Sequence, residues 1–284
     1  FKYFLLGSFA SAVFLYGVAL LFGSAQTTYI NALMEIAPEM TSVSYIFLMG
    51  MVLTILGFCF KVAIVPFHAW TPDVYEGSPS PVTAYMASGV KLVTFVAFLR
   101  LVAGEFLVTE LSGNFFEVLQ WLAVFTMLLG NIAAVLQNNL KRMLAYSSIA
   151  HSGYALMGII ASAVGGTNFL GASGLIYYVM SYAIMTIGAM GVVCLLEKEH
   201  DSVILVDDLS GLARRNPWAA FCFTVFLLSL AGMPPTVGFF AKLFVFSAAI
   251  KQGFFWLAVW GVISSAIGVY YYLRPIVLMY MKEE

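Results

Sequence analysis

The feature that most constrains this chain is the recurrence, from one end to the other, of apolar runs long enough to cross a lipid bilayer. About 20 helical residues span a hydrocarbon layer of ~30 Å, and backbone inside that layer must satisfy its own polar groups, so such runs fold as transmembrane helices. Runs of this kind are read at 1–22, 44–76, 79–104, 115–137, 140–164, 167–196, 217–252 and 254–281. Charged residues make up 10% of the chain, against about 25% in soluble domains, which excludes a soluble fold. The expected class is therefore all-α: one polytopic bundle of about eight transmembrane helices over 1–284, with the lipid bilayer as its surroundings. A net charge of −1 without a basic cluster argues against a nucleic-acid partner. Cys59, Cys194 and Cys222 lie far apart inside apolar runs, so they read as buried small hydrophobes and no metal site is expected. The chain opens directly on an apolar run at Phe1 and reads as a fragment, without a signal peptide.

Topology follows from the basic residues. With eight crossings, both ends and the loops at 137–142 and 197–216 share one side, which collects Lys2, Lys141, Arg142, Lys198, Arg214, Arg215 and Lys282. The opposite side carries Lys251 and is otherwise acidic, with Glu35, Glu39, Glu105, Glu110 and Glu117. The positive-inside rule puts both ends in the cytoplasm or its organellar equivalent.

Two runs are too long for a single crossing: 44–76 alone would make a rod of about 50 Å. Each holds proline at mid-depth, Pro66 in one and Pro234-Pro235 in the other. Proline removes a backbone donor and clashes with the preceding turn, so both helices are expected to break inside the membrane. Backbone unwound at that depth survives only where it is buried in protein or lines a wet cavity. The two broken helices run in opposite directions and each has a lysine near its break, as in inverted-repeat transporters. A partial first repeat is read at about 1–107 and a second at about 115–281.

Lys61, Lys91 and Lys242 fall well inside their helices, where an ammonium costs at least ~2.5 kcal/mol, so an interior polar path is expected. A buried amine can take up and release its proton, which a guanidinium cannot. Pairing of each lysine with a carboxylate as a structural bridge is the alternative, yet all fourteen Asp and Glu residues fall at helix ends or in loops. His68, just after the first break, and His151, flanked by Ser147, Ser148 and Ser152, suit a proton relay or satisfied core positions. Asp73 and Glu76 lie beyond the first break and read as a site of proton access or as interfacial residues. His200 reads as solvated, and the Tyr and Trp residues of AVWGVISSAIGVYYYLRP as packing or anchoring groups.

The stretch FCFKVAIVPFHAWTPDVYEGSPSPVTAYMASGVKLVTFVAFLR closely resembles the core of the antiporter-like membrane subunits of NADH–quinone oxidoreductase, respiratory complex I. NNLKRMLAYSSIAHSGYALMG and FLLSLAGMPPTVGFFAKLFVF match two further motifs of that family, and the resemblance covers essentially the whole chain. TPDVYEGSPSPV, GFFAKLFVF and IGVYYYLRP resemble its N type rather than its L or M types, and the M type has glutamate where Lys242 stands. The resemblance implies a whole subunit of fourteen helices, of which these are the sixth to thirteenth. It also implies that Lys2, Lys61, Lys91, Lys242, His68 and His151 belong to a polar proton-relay axis. The family's buried glutamate on the fifth helix would precede Phe1, which leaves Lys61 without that partner here.

The expected function is thus a proton-translocating subunit, with Lys61 exchanging with Lys91 and on through His151 toward Lys242. Its expected partners are protons and the other membrane subunits of the complex, in the inner membrane of a bacterium, or of a mitochondrion or plastid. No cofactor is expected in this chain; NAD, FMN, iron–sulfur clusters and quinone would be bound by other subunits. A cation/proton antiporter of the same superfamily would use the same lysines, but mid-depth carboxylates for a cation are lacking. Buried lysines suit a purely structural subunit poorly, and no catalytic constellation supports a hydrolytic enzyme.

Overall fold

The computed structural model of the chain describes residues 1–33, 45–102, 114–164, 170–197 and 204–282. Glu35, Glu39, Glu105, Glu110, Lys198 and His200, which entered the expectations above, lie outside the described residues. In chain order the helices are α1 (Lys2–Ala25), α2 (Tyr45–Lys61), α3 (Thr71–Gly77) and α4 (Ser80–Val102), followed by α5 (Asn114–Val135), α6 (Leu140–Val164) and α7 (Leu170–Leu196). The short α8 (Leu212–Arg215), α9 (Pro217–Ala231), α10 (Val237–Lys251) and α11 (Phe255–Met281) complete them. Among the described residues, six helices are long and apolar enough to cross a membrane: α1, α4, α5, α6, α7 and α11. The remaining two crossings are the broken pairs, α2 with α3 and α9 with α10.

Both breaks form where proline was expected to force them. After α2 the chain unwinds through residues 62–70, with Ala63 in the left-handed region at φ 61°. α9 starts on a strong signal: the Asn216 side chain accepts from Ala219 N at 3.2 Å, and Pro217 fills the first helical position, where no donor is needed. It ends at Gly232, whose φ of 81° closes the last turn, and Pro234 and Pro235 keep the helix from resuming before Val237.

One departure from the sequence reading lies in α4. Residues Met86–Val90 form a π-helical turn immediately before Lys91, in what reads as an uninterrupted apolar run. Such single turns occur mostly as insertions at functional positions, and they leave no periodicity signal. A second departure concerns cysteine: Cys59 is buried, but Cys194 and Cys222 lie on the outer surface of the bundle.

α6 is the axis of the molecule, with 94% of its apolar 18-residue stretch buried, whereas the corresponding figure for α1 is 11%. The sequence explains this, because LKRMLAYSSIAHSGYALMG places small or polar residues on every face and has no lipid-facing stripe. Small residues also let the neighbours approach closely. A Cβ at Gly130 of α5 would stand 2.6 Å from the Ala150 backbone nitrogen, and one at Gly153 of α6 would stand 2.9 Å from the Ala123 carbonyl oxygen.

Ion pairs bind one end of the bundle. Lys2 meets Asp73 at 2.5 Å, and Arg142 bridges Asp73 at 2.9 Å and Glu76 at 2.7 Å. Lys141, at the head of α6, meets Glu197 beyond α7 at 2.7 Å and donates to Ser78 O at 2.9 Å. Burial alone would raise the Glu197 carboxyl, but hydrogen bonds from Lys141 and Ser80 outweigh it and hold the group below its ordinary range. Arg274 of α11 reaches Asn138 at 3.0 Å, and Gly211 N donates to Leu278 O at 3.3 Å. The start of α1, the end of α11 and the loops at 137–142 and 204–216 thus share one face, the arrangement that eight crossings require. α3 ends on that face and α9 begins there, so the two broken helices run in opposite directions.

A valine at Gly130 should therefore push α5 from α6 and destabilise the fold by about 1–3 kcal/mol. The expected result is a lower thermal unfolding midpoint of the purified protein.

Candidate functional site

The polar interior is built around α6. Lys91 is 2% exposed. Its Nζ donates to Ser148 O at 2.7 Å, to Ser148 Oγ at 2.6 Å and to Ser152 Oγ at 2.8 Å. Ser148 and Ser152 lie one helical turn apart on the face of α6 that meets α4. Ser152 in turn donates to Val62 O at 2.6 Å, within the first break. In the same break, Val65 N donates to Thr126 Oγ1 of α5 at 3.0 Å.

Lys242 occupies the corresponding place at the second break. Its Nζ donates to Ala231 O, the last carbonyl of α9, at 2.8 Å and to Ser265 Oγ of α11 at 2.8 Å. It also sits 5.1 Å from the centre of the Tyr154 ring, a cation–π contact away from water. Both buried ammoniums are thus held by neutral oxygens, and among the described residues no carboxylate contacts either, which speaks against the bridging alternative for Lys91 and Lys242.

His151 lies on α6, one residue before Ser152, which binds Lys91. It is 3% exposed, with Nδ1 2.6 Å from the Tyr178 hydroxyl and Nε2 3.2 Å from the Tyr272 hydroxyl. Tyr272 also hydrogen-bonds Ser147, and the Tyr182 ring lies 4.8 Å from the imidazole. An imidazole with a hydroxyl on each nitrogen can give a proton on one side and accept one on the other.

Other candidates stand apart from this axis. Lys61, at the end of α2, is exposed and has no hydrogen-bond or ion-pair partner among the described residues. It opens onto a groove of about 540 Å³ lined also by Tyr3, Ser8, Ser11 and Thr94. Lys2 lies at the surface in its pair with Asp73, and Asp73 and Glu76 belong to the ion-pair network of that face. His68 is half-buried, and among the described residues its Nδ1 has no hydrogen-bond partner; the same holds for Thr71 Oγ1 and Tyr75 OH farther along the chain.

The sequence reading missed the tyrosines. Tyr271 and Tyr272 were assigned to packing or anchoring, but both are buried and hydrogen-bonded, Tyr271 to Asn131 Oδ1 at 2.9 Å. Tyr154, Tyr178, Ser265 and Asn131 were not singled out. The usable signal is a polar side chain at mid-depth of an apolar run, which Asn131 and the Ser264-Ser265 pair both show.

The family model described as "NADH:quinone oxidoreductase/Mrp antiporter, TM" matches residues 1–268. A protein of Bdellovibrio bacteriovorus named NADH-quinone oxidoreductase subunit N is 57% identical over 99% of this chain and 58% of its own length. The chain thus spans a little over half of the curated relatives it matches. Among solved structures, a chain of respiratory complex I from Thermus thermophilus with bound aureothin is 34% identical, with a TM-score of 0.81 over 100% of this chain and 59% of that one. A chain of the Mrp complex from Dietzia sp. is 26% identical, with a TM-score of 0.86 over 99% of this chain and 50% of that one.

The seat of Lys242 depends on Gly232. A Cβ there would stand 2.9 Å from Lys242 Cδ and 3.2 Å from Nζ, at a φ of 81° that alanine adopts at a cost of about 1–2 kcal/mol. Gly232→Ala should lower the thermal midpoint accordingly, and the structure of the variant should show Nζ moved off Ala231 O.

Proposed function

We propose a function from one premise: the chain belongs to the NADH:quinone oxidoreductase/Mrp antiporter family of transmembrane proteins. The function is that of the proton-translocating membrane subunit of an NADH–quinone oxidoreductase. One observation carries this reading. Lys91 and Lys242 are buried against neutral hydroxyl and carbonyl oxygens, Lys242 bonded to the second break and Lys91 to Ser148 and Ser152 of α6, the latter of which bonds the first break, and α6 also carries His151.

Each group has a role that its surroundings support. Lys91 and Lys242 take up and release protons, because an amine bound only by neutral groups can do so without leaving a buried carboxylate unpaired. His151 passes the proton between them through its two hydroxyl contacts. Lys61 joins from the groove it opens onto. Asp73 and Glu76 give protons access from the face where the ion pairs gather, Lys2 joins the relay there through its contact with Asp73, and His68 lies along the first break behind them. On this reading that face is cytoplasmic and the membrane is the bacterial inner membrane. The partners are the other membrane subunits of the complex, and its NAD, FMN, iron–sulfur and quinone chemistry takes place in other subunits. The partial repeat at about 1–107 and the repeat at about 115–281 each contribute one break and one buried lysine.

The test is Lys91→Ala in the full-length subunit, assayed in membrane vesicles with complex content quantified. Removing a costly buried charge should leave assembly largely intact while proton pumping falls about tenfold or more. Wild-type pumping by that variant would overturn the proposal.

A further inference from the structure

Asn131 is a polar residue at mid-depth in α5 that touches none of the proton-carrying groups, yet it is 2% exposed and fully engaged. Its Nδ2 lies 2.9 Å from Met127 O, 3.1 Å from the Tyr154 hydroxyl and 2.7 Å from Ser264 Oγ. Its Oδ1 accepts from the Tyr271 hydroxyl at 2.9 Å. One side chain thus ties α5 to α6 and, at two points, to α11. α11 makes room for it at Gly268, where a Cβ would come within 3.0 Å of Oδ1.

Each tie leads to a group of the axis. The Tyr154 ring is the surface against which the Lys242 ammonium rests, at 5.1 Å from its centre. The Tyr154 hydroxyl is held by Asn131 and, at 3.3 Å, by Ser264, so the ring cannot swing from under the lysine without breaking both contacts. The Tyr271 ring packs 4.4 Å from that of Tyr272, whose hydroxyl meets His151 Nε2. A cation–π contact is directional and depends on ring position, and its strength grows when it is desolvated as here. Burying an amide in the bilayer core is costly, and the apolar run around Asn131 offers no reason for it other than these four contacts.

We infer that Asn131 is a positioning residue: it fixes the Tyr154 ring beneath Lys242 and thereby sets how readily that lysine exchanges its proton. This rests on the function proposed above. It is distinct from a packing role, because it acts through one named ring, and the two can be told apart by a double-mutant cycle.

The experiment uses membrane vesicles carrying the full complex, with pumping normalised to complex content. Asn131→Leu should lower pumping about fivefold, the effect of losing one well-placed hydrogen bond. In a Tyr154→Leu background, where the ring is already gone, the same substitution should add less than twofold. An equal loss in both backgrounds would overturn the inference. If Asn131→Leu lowers complex content, Tyr154→Phe carries the test: it keeps the ring and cuts only its tether, so pumping should again fall about fivefold, and wild-type pumping would overturn the inference. Lys242→Met separates the two levels. Wild-type pumping with Lys242→Met would bring down the proposed function and this inference with it. Loss of pumping in Lys242→Met together with an additive cycle would bring down the inference alone.

Discussion

Backbone that leaves the helix inside a bilayer has no water to take its hydrogen bonds, and most of this molecule's interior follows from meeting that constraint twice. At the first break, Ser152 donates to Val62 O and Thr126 accepts from Val65 N. At the second, Lys242 donates to Ala231 O, and Ser229 Oγ accepts from Gly238 N at 3.1 Å. Side chains of α5 and α6 at the first break, and of the two halves of the broken helix at the second, thus do what the next helical turn would have done. This requires the breaks to be enclosed, and α6, with α5 and α11 beside it, supplies the enclosure.

The same constraint ties the titratable groups to the backbone. Lys242 bonds the break directly; Lys91 reaches the other through Ser152, which it shares with Val62 O. In each case the ammonium lies in a shell of oxygens that carry no charge of their own. Such a shell can accept either form of the amine, whereas a carboxylate partner would lock in the charged one. The hydrogen bonds that support these two weak points are thus the ones that hold the buried lysines, and on the proposed function they also make the polar core a row of exchangeable protons.

Much of this was legible in the sequence. Hydropathy placed eight crossings, with α6 bounded at 140 and 164 as read, because burial in lipid demands long uninterrupted runs. Pro66 and Pro234-Pro235 located both breaks for a covalent reason, and the position of Lys91 marked it as buried. What stayed hidden depended on rotation about a helix axis and on side-chain direction. Hydropathy cannot tell that Lys61 opens onto a groove while Lys91 turns inward, since both sit deep in apolar runs. The π turn at Met86–Val90 leaves no trace in composition, and three consecutive tyrosines at 270–272 read as packing or anchoring groups, although two of them are buried and hydrogen-bonded into the polar core.

The central claim is that Lys91 and Lys242 work by exchanging protons and not by supplying a fixed positive charge. The most direct measurement replaces each in turn by arginine in the full-length subunit and compares the initial rate of proton pumping in vesicles with that of the methionine variant at the same position. Arginine keeps the charge and can make the same hydrogen bonds to neutral oxygens, but it does not release its proton. The account expects arginine at either position to pump no faster than methionine. Pumping at the wild-type rate with arginine at both positions would show that fixed charge suffices, and would contradict it.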